Sequence, residues 1–363
     1  MALLLAACAT PTPSPSLTAM PTEGSVAPVV PDGEWTRIDP SGFAGFFIDV
    51  ATTPSGLVIA GWGGEAGEIA LSWDSPDGVT WQVDQLPGDG RVPGMLVPWG
   101  DKVVAVGLGQ SDRCAHPAAL DTWLRGADGA WEEAPWNPIF CAGGTPSAAA
   151  ALDHILVAGT GTGDVPYLWV SDDGLRWTDI SLPRDLGAPR AVASNGGTDV
   201  LMGSNLDGGV WVSISPNGTT WSIPAAVAAP PDADVMAVLP LDGGFVAMVR
   251  DSSGAVGAYR SDDGVTWEAA EAVGLDANKV FRLVAVEGAL VALGGDELGR
   301  PAMWVSADGT SWRAAAVPDD MGKNATLRGI AVRQGRVFVV GQAEVDLEAI
   351  ASAWAGPAGL IAP

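Results

Sequence analysis

The chain has little of what most enzymes use to move protons or attack carbonyls. Among 363 residues there are two histidines (His116 and His154), two tyrosines (Tyr167 and Tyr259), three cysteines and three lysines. Zinc sites that draw on several imidazoles, and Ser-His-Asp triads, therefore lack parts. The glycine-rich stretches GTGTGD and GWGGEAG lie between strand-like runs rather than ahead of helices, which removes the phosphate loop and the dinucleotide fingerprint. Basic residues are also scarce, 18 against 43 acidic ones, for a formal charge of −25. Such a surface repels phosphate backbones and anionic lipid, so nucleic acid is excluded as a partner, and the acidity reads mainly as solubility. No apolar run reaches the length of a membrane-spanning helix.

What the chain does have is tryptophan, sixteen of them, and glycine, forty-eight. Five heptads repeat one pattern: SPDGVTW ending at Trp81, SDDGLRW at Trp177, SPNGTTW at Trp221, SDDGVTW at Trp267 and SADGTSW at Trp312. A shortened copy, GADGAW, ends at Trp131. Successive tryptophans are 50, 46, 44, 46 and 45 residues apart, a period that suits stacked repeats. Between them lie short Val/Ala/Leu/Ile runs such as LVIAGWG, KVVAVGLG and RVFVVGQA, broken by Gly, Pro, Asp and Asn, which is strand and turn chemistry. Within each motif the Ser and acidic side chains suit turn amides, Gly permits positive φ, and Trp can plug a hairpin.

The pattern resembles the Asp-box, or BNR, repeat of sialidase-like β-propellers, with one residue fewer between Asp and Gly than the usual form. Asp77, Asp173, Asn217, Asp263 and Asp308 take the acidic position and Trp81, Trp177, Trp221, Trp267 and Trp312 the closing one. The ends of the chain complete one another. PDGEWTRID supplies a closing half-motif at Trp35 with no strands before it, whereas AIASAWAGPAG, through Trp354, has no closing tryptophan after it. Residues 34–38 are thus expected to form the outer strand of the last blade, closing the ring so that no edge is left open. Counting Trp35, Trp81, Trp131, Trp177, Trp221, Trp267 and Trp312 gives a seven-bladed, all-β propeller; six blades, as in sialidases, is the alternative.

In such a blade the repeat joins strands three and four, so every copy lies on one face, here termed lower. The resemblance implies that the opposite, upper face and the central channel hold any site. Every upper loop between strands two and three carries an acid: Glu65, Asp112, Asp164, Asp207, Asp251, Asp296 and Glu344. Seven carboxylates on one rim could hold Ca²⁺, although Asp is also simply a good turn residue. No other cofactor is expected. Arg190, Arg282 and Arg328 recur near the starts of three innermost strands. Sialidases bind a substrate carboxylate with three arginines, but the Phe-Arg-Ile-Pro motif of that family is missing, Phe281-Arg282-Leu283 being the nearest fragment. These arginines equally suit ion pairs between blades. The family also attacks through a tyrosine, and Tyr167 and Tyr259 both fall in third strands, where they read as packing residues. A different, carboxylate-based glycoside hydrolase has Asp49, well inside an innermost strand, as its catalytic candidate.

Thirteen tryptophans belong to the repeat or its third strand; Trp62, Trp99 and Trp136 do not. Two long upper loops, GQSDRCAHP and PWNPIFCAGG, hold Cys114 and Cys141, a disulfide candidate in an oxidising compartment. Around them gather Trp62, Glu65, Asp112, Arg113, His116, Trp136 and Phe140, a group suited to a sugar or peptide and suited also to anchoring loops.

The first residues resemble a bacterial lipobox. Leu5-Ala6-Ala7-Cys8 ends a short apolar run, so Cys8 is expected to be lipidated, and residues 9–32 form a Pro/Ser/Thr-rich tether to a propeller over 33–363. The expectation is an extracytoplasmic, lipid-anchored propeller that binds a glycan or a protein partner without catalysis, with a glycoside hydrolase as the alternative.

Overall fold

The computed structural model describes residues 34–363 except the short stretches 39–44, 64–68, 89–90, 111–112, 115–117, 143, 151–152, 162, 164, 184–185, 206, 276–279, 297, 323 and 346–347. Cys8 and the tether lie outside the described residues. The 28 strands form seven four-stranded antiparallel sheets, each built from four strands in sequence order except the last. That sheet runs Thr36–Ile38, Glu348–Pro357, Arg336–Val345, Thr326–Arg333 from outside inward, so the first strand closes blade 7 as the terminal half-motifs imply. Arg37 pairs with Trp354 across this seam, and the Trp35 indole donates to the carbonyl of Ala316.

Second strands are covered on both faces by neighbouring blades, which is why they read as unbroken apolar runs rather than alternating ones. Ala289–Gly295 is buried throughout, and Gly56–Gly63 in all but Trp62. Outer strands such as Glu268–Glu271 are short and mostly exposed. Third strands carry the large plugs: Trp73, Trp123, Trp169 and Trp354 are fully buried. Tyr259 faces Ala247 across its ladder as Trp73 faces Ile59, and Tyr167 faces Gly159 as Trp211 faces Gly203. Both tyrosines thus occupy tryptophan positions of the repeat, and burial pushes both hydroxyls above the ordinary phenol range.

The repeated turn has one geometry. In blade 1 the Asp77 carboxylate accepts the amides of Val79 and Thr80, both at 2.8 Å, while Ser75 Oγ accepts that of Gly78 at 2.7 Å. Ser171/Asp173, Ser261/Asp263 and Ser306/Asp308 repeat it, and Asn217 replaces the carboxylate in blade 4. The glycine is required twice over. Gly78 has φ of +73°, and a Cβ there would meet the Phe338 ring of blade 7 at 2.5 Å. Trp221, Trp267 and Trp312 close their turns by donating to the glycine carbonyl. In the shortened copy Arg125 takes the ladder position of the serine, and Trp131 donates instead to Ser72 of blade 1. These turns are fasteners between and within blades.

Candidate functional site

Seven innermost strands surround the axial bore: Gly45–Thr53, Arg91–Trp99, Thr145–Ala150, Ala188–Ser194, Asp234–Leu241, Val280–Val286 and Thr326–Arg333. Six of them bulge at one level. The ladder passes from Phe47 to Asp49, Pro93 to Met95, Pro189 to Ala191, Val235 to Ala237, Val280 to Arg282 and Leu327 to Gly329, leaving one residue unpaired each time. Blade 3 pairs without a shift. The residue before the bulge usually faces a second-strand glycine, and a Cβ on Gly61, Gly107, Gly203 or Gly341 would come within 2.2 Å of a facing carbonyl oxygen. A bulge re-aims its extra side chain. Here the bulged residues Ile48, Gly94, Arg190, Met236, Phe281 and Arg328 all line one cavity of about 770 Å³ that runs along the bore, and they stand at its upper end.

This register corrects the alignment of the three arginines. Arg190 and Arg328 are bulge residues, but Arg282 follows its bulge, and the residue equivalent to it in blade 1 is Asp49. Arg282 reaches across blade 7, donating to the Arg328 carbonyl at 2.8 Å and to Asp49 Oδ2 at 2.6 Å. It can cross because the intervening equivalent residue is Gly329, whose absent side chain leaves room for the Asp49 carboxylate. Asp49 is 2% exposed and also accepts the amides of Val50 and of Leu96 in blade 2, each at 2.8 Å. Its carboxylate therefore ties blades 6, 7, 1 and 2 together. The catalytic candidate of the sequence is a structural clamp, with both oxygens engaged and little access to solvent.

Arg190 pairs with Asp234 of blade 5 at 3.1 Å. Two of the three arginines thus bridge blades, as their chemistry allowed. Arg328 makes no side-chain hydrogen bond or ion pair among the described residues. Beside it on the ring Phe281 is 69% exposed, an unusual state for a phenylalanine. The mouth therefore offers a free guanidinium, a bare aromatic ring and apolar walls from Ile48, Met236 and Leu327. Phe281 was present in the sequence fragment Phe281-Arg282-Leu283, but only the ladder reveals that it, and not Arg282, is the unpaired bulge residue.

The second candidate region separates into two clusters. Trp62 stacks on Phe46 at 4.1 Å near the upper edge of blade 1. Trp136 packs instead on Phe140, which is buried against Trp169 between blades 2 and 3, and the Arg113 guanidinium lies 5.4 Å over its ring. Cys114 and Cys141 are disulfide-bonded, with Cα atoms 5.3 Å apart, and the bridge joins the two long upper loops. Trp136 and Phe140 thus anchor loops over the disulfide. Glu65, Asp112 and His116 lie outside the described residues.

Of the rim acids, Asp164 and the side chain of Glu344 are likewise outside them. Asp251 and Asp296 fold back on their own loops: Asp251 accepts from Ser253 and Ala255, and Asp296 from Leu298, Arg300 and the Arg300 guanidinium. The Ser253 hydroxyl and the Arg300 guanidinium, respectively, hold these carboxyls below their ordinary range. In blade 4 the capping residue is Asn205 rather than Asp207. On the lower face, His154 is buried between Asp153 and Asp199, 2.7 and 2.9 Å away, linking blades 3 and 4.

No protein-family model and no curated protein sequence matches the chain. Solved structures do. The β-propeller domain of the Trilobed protease from Pyrococcus furiosus aligns at a TM-score of 0.57 with 10% identity, covering 86% of this chain and 93% of that one. Trypanosoma rangeli sialidase aligns at 0.51 with 11% identity, over 91% of this chain and 60% of the sialidase, so this chain spans less than two thirds of that protein. The phage phi92 endosialidase aligns at 0.50 with 11% identity, over 90% and 69% of the two chains. At such identities the likeness is one of fold: the chain is a seven-bladed β-propeller similar in fold to the propellers of sialidases and of an archaeal protease.

Proposed function

We propose that this protein is a non-catalytic binding propeller, held outside the cytoplasm by lipidated Cys8, that takes a glycan at the upper mouth of its bore. The observation that carries the reading is the division of labour around the bulge ring. Asp49 and Arg282 are spent on each other and on backbone amides, while Phe281 and Arg328 stay exposed over a cavity of about 770 Å³. A flat ring supplies contact area to a sugar face, and a guanidinium fixes orientation through a carboxylate or hydroxyl oxygen. Tyr167 and Tyr259 are buried, 4% and 6% exposed, and so are badly placed to attack a ligand in the bore. The Trp62–Phe46 stack on the same face extends the surface toward blade 1.

A glycan array tests this with the purified propeller and its Phe281→Ala, Arg328→Ala and Trp62→Ala forms. Binding should fall at least tenfold in the first two. Unchanged binding in all three removes the site from the mouth, and binding confined to a parallel peptide array makes the partner a protein. The anchor has its own test: a palmitate analogue should label the full chain in cells and fail to label Cys8→Ser.

A further inference from the structure

Blade 4 departs from the other six in its outer half. Residues 208–231, which span its third strand Val210–Ser215, the repeated turn and the outer strand Ala225–Val227, hold no charged side chain, although 17% of the chain is charged. The corresponding strands and turn carry at least two charges in every other blade, as with Asp74, Asp77 and Asp84 in blade 1 or Asp308 and Arg313 in blade 6. Asn217 takes the acidic position of the turn, so even that charge is removed. The outer strand also bulges. Val212 pairs with Ala225 and the Ser222 amide donates to the Ile214 carbonyl, so Ile223 and Pro224 together oppose the single Ser213. Ile223 is 90% exposed, the most of any large hydrophobic side chain among the described residues.

An edge strand is ordinarily guarded by charge. Here the bulge pushes an isoleucine into water instead, and the exposed Ala225 and Ala226 extend it into a neutral patch of the kind that marks an interaction surface. A seat of matching chemistry lies two blades away. A hollow of about 560 Å³ opens on the outer side of blade 6, between its outer strand Arg313–Ala315 and residues 316–322, which lead to blade 7. Met303, Pro318 and Met321 form its buried floor, with Ala314 and Val317 as walls. The hollow is preformed, because the Trp35 indole donates to the Ala316 carbonyl and Trp354 Nε1 to Asp320 Oδ1, pinning residues 316–322 at two points. At its rim Asp296 and Arg300 neutralise one another as an ion pair at 2.6 Å.

We propose that the Ile223 knob of one copy seats in the blade 6 hollow of a second copy of this chain, joining propellers head to tail. Charge selects this occupant. Two copies that each carry a formal −25 repel one another through any acidic edge, and the outer half of blade 4 is the flank that approaches without adding to the repulsion. The hollow is well above the ~300 Å³ at which ligand-sized pockets begin, so it takes Ile223 together with Pro224. Knob and hollow are different surfaces on different blades, which makes the contact heterologous. Each copy then offers a free knob and a free hollow, and association runs beyond the dimer. Neither surface touches the bore, so the contact is independent of the glycan reading.

Sedimentation velocity of the intact propeller at physiological ionic strength, from micromolar to near-millimolar concentration, tests it. The mean mass of the wild type should climb past that of a dimer. Ile223→Glu and Ala314→Glu should each weaken association at least tenfold, whereas Ala307→Glu, which adds the same charge to the repeated turn of blade 6, should leave it unchanged. All three positions are exposed, so none of these substitutions threatens the fold. Mixing Ile223→Glu with Ala314→Glu is the sharper arm. The first keeps its hollow and the second its knob, so together they should form a one-to-one dimer and stop there. A wild type that stays monomeric overturns the proposal, as does undiminished association in Ile223→Glu. A mixture that stays monomeric while the wild type associates would mean that like surfaces meet about a two-fold axis, and it overturns the proposal too.

Discussion

Replacing Gly329 by alanine should destabilise the propeller, although glycine-to-alanine in a strand ordinarily stabilises by about 0.5–1 kcal/mol. The reason is the clamp beneath it. A Cβ on Gly329 would lie 2.7 Å from Asp49 Oδ1, 2.8 Å from Val50 N and 2.9 Å from Asp49 Cα. Two of these contacts are backbone atoms, which cannot rotate aside. Overpacking of this kind costs about 1–3 kcal/mol. If the carboxylate moves to make room, it also loosens from Arg282 or from the amides of Val50 and Leu96, and an orphaned buried donor adds about 1–3 kcal/mol. Set against the propensity gain, a net loss of about 2 kcal/mol is expected. Urea unfolding followed by fluorescence reads it as a lower midpoint at unchanged slope. Gly359→Ala is the control, since no atom lies within 4 Å of its added Cβ. A Gly329→Ala protein as stable as wild type would refute the claim that Asp49 and Arg282 meet across blade 7.

Three further outcomes follow from the same structure. Burial alone would raise the Asp173 carboxyl, but the amides of Arg176 and Leu175 and the Arg176 guanidinium hold it down to about 2, and related bonds lower Asp77, Asp263 and Asp308. The stability these turns supply is therefore complete above the unfolded value near 3.8 and is lost as pH falls toward about 2, by no more than about 1 kcal/mol for Asp173 once solvent screening is allowed for. An acid titration of the unfolding midpoint should show this decline, less steeply in Asp173→Asn. Cys114→Ser opens a loop of sequence separation 27 and should cost about 3 kcal/mol, seen equally on reducing the wild type. Trp136→Ala should destabilise by about 1–3 kcal/mol while leaving ligand binding intact, because the ring packs on Phe140 under Arg113 rather than facing solvent.

The architecture was legible because it is written seven times. One heptad fixes the turn between strands three and four, and its spacing fixes the blade; the incomplete motifs at Trp35 and Trp354 disclosed how the ring closes. The packing role of Tyr167 and Tyr259 could be read from their place in third strands. The bore was harder. A bulge moves one residue out of register with no residue type that signals it, so Arg282 looked like Arg190 and Arg328 although it aligns with Asp49. The fate of Asp49 depended on Gly329, nearly the whole chain away in sequence and adjacent only because the ring closes. Trp62 and Trp136 carry the same composition signal, yet one stacks near the upper edge of its blade and the other is a loop anchor, since burial is decided by neighbours that only folding brings together.

We propose an upper mouth that binds and does not cut. The most direct measurement incubates the best glycan from the array with wild type, Arg328→Ala and Asp49→Asn proteins and follows both bound ligand and released sugar. Binding that is lost in Arg328→Ala, kept in folded Asp49→Asn and accompanied by no released sugar in any of the three is the predicted result. Release of sugar by the wild type, abolished by Asp49→Asn without loss of binding, would contradict it and make Asp49 catalytic after all.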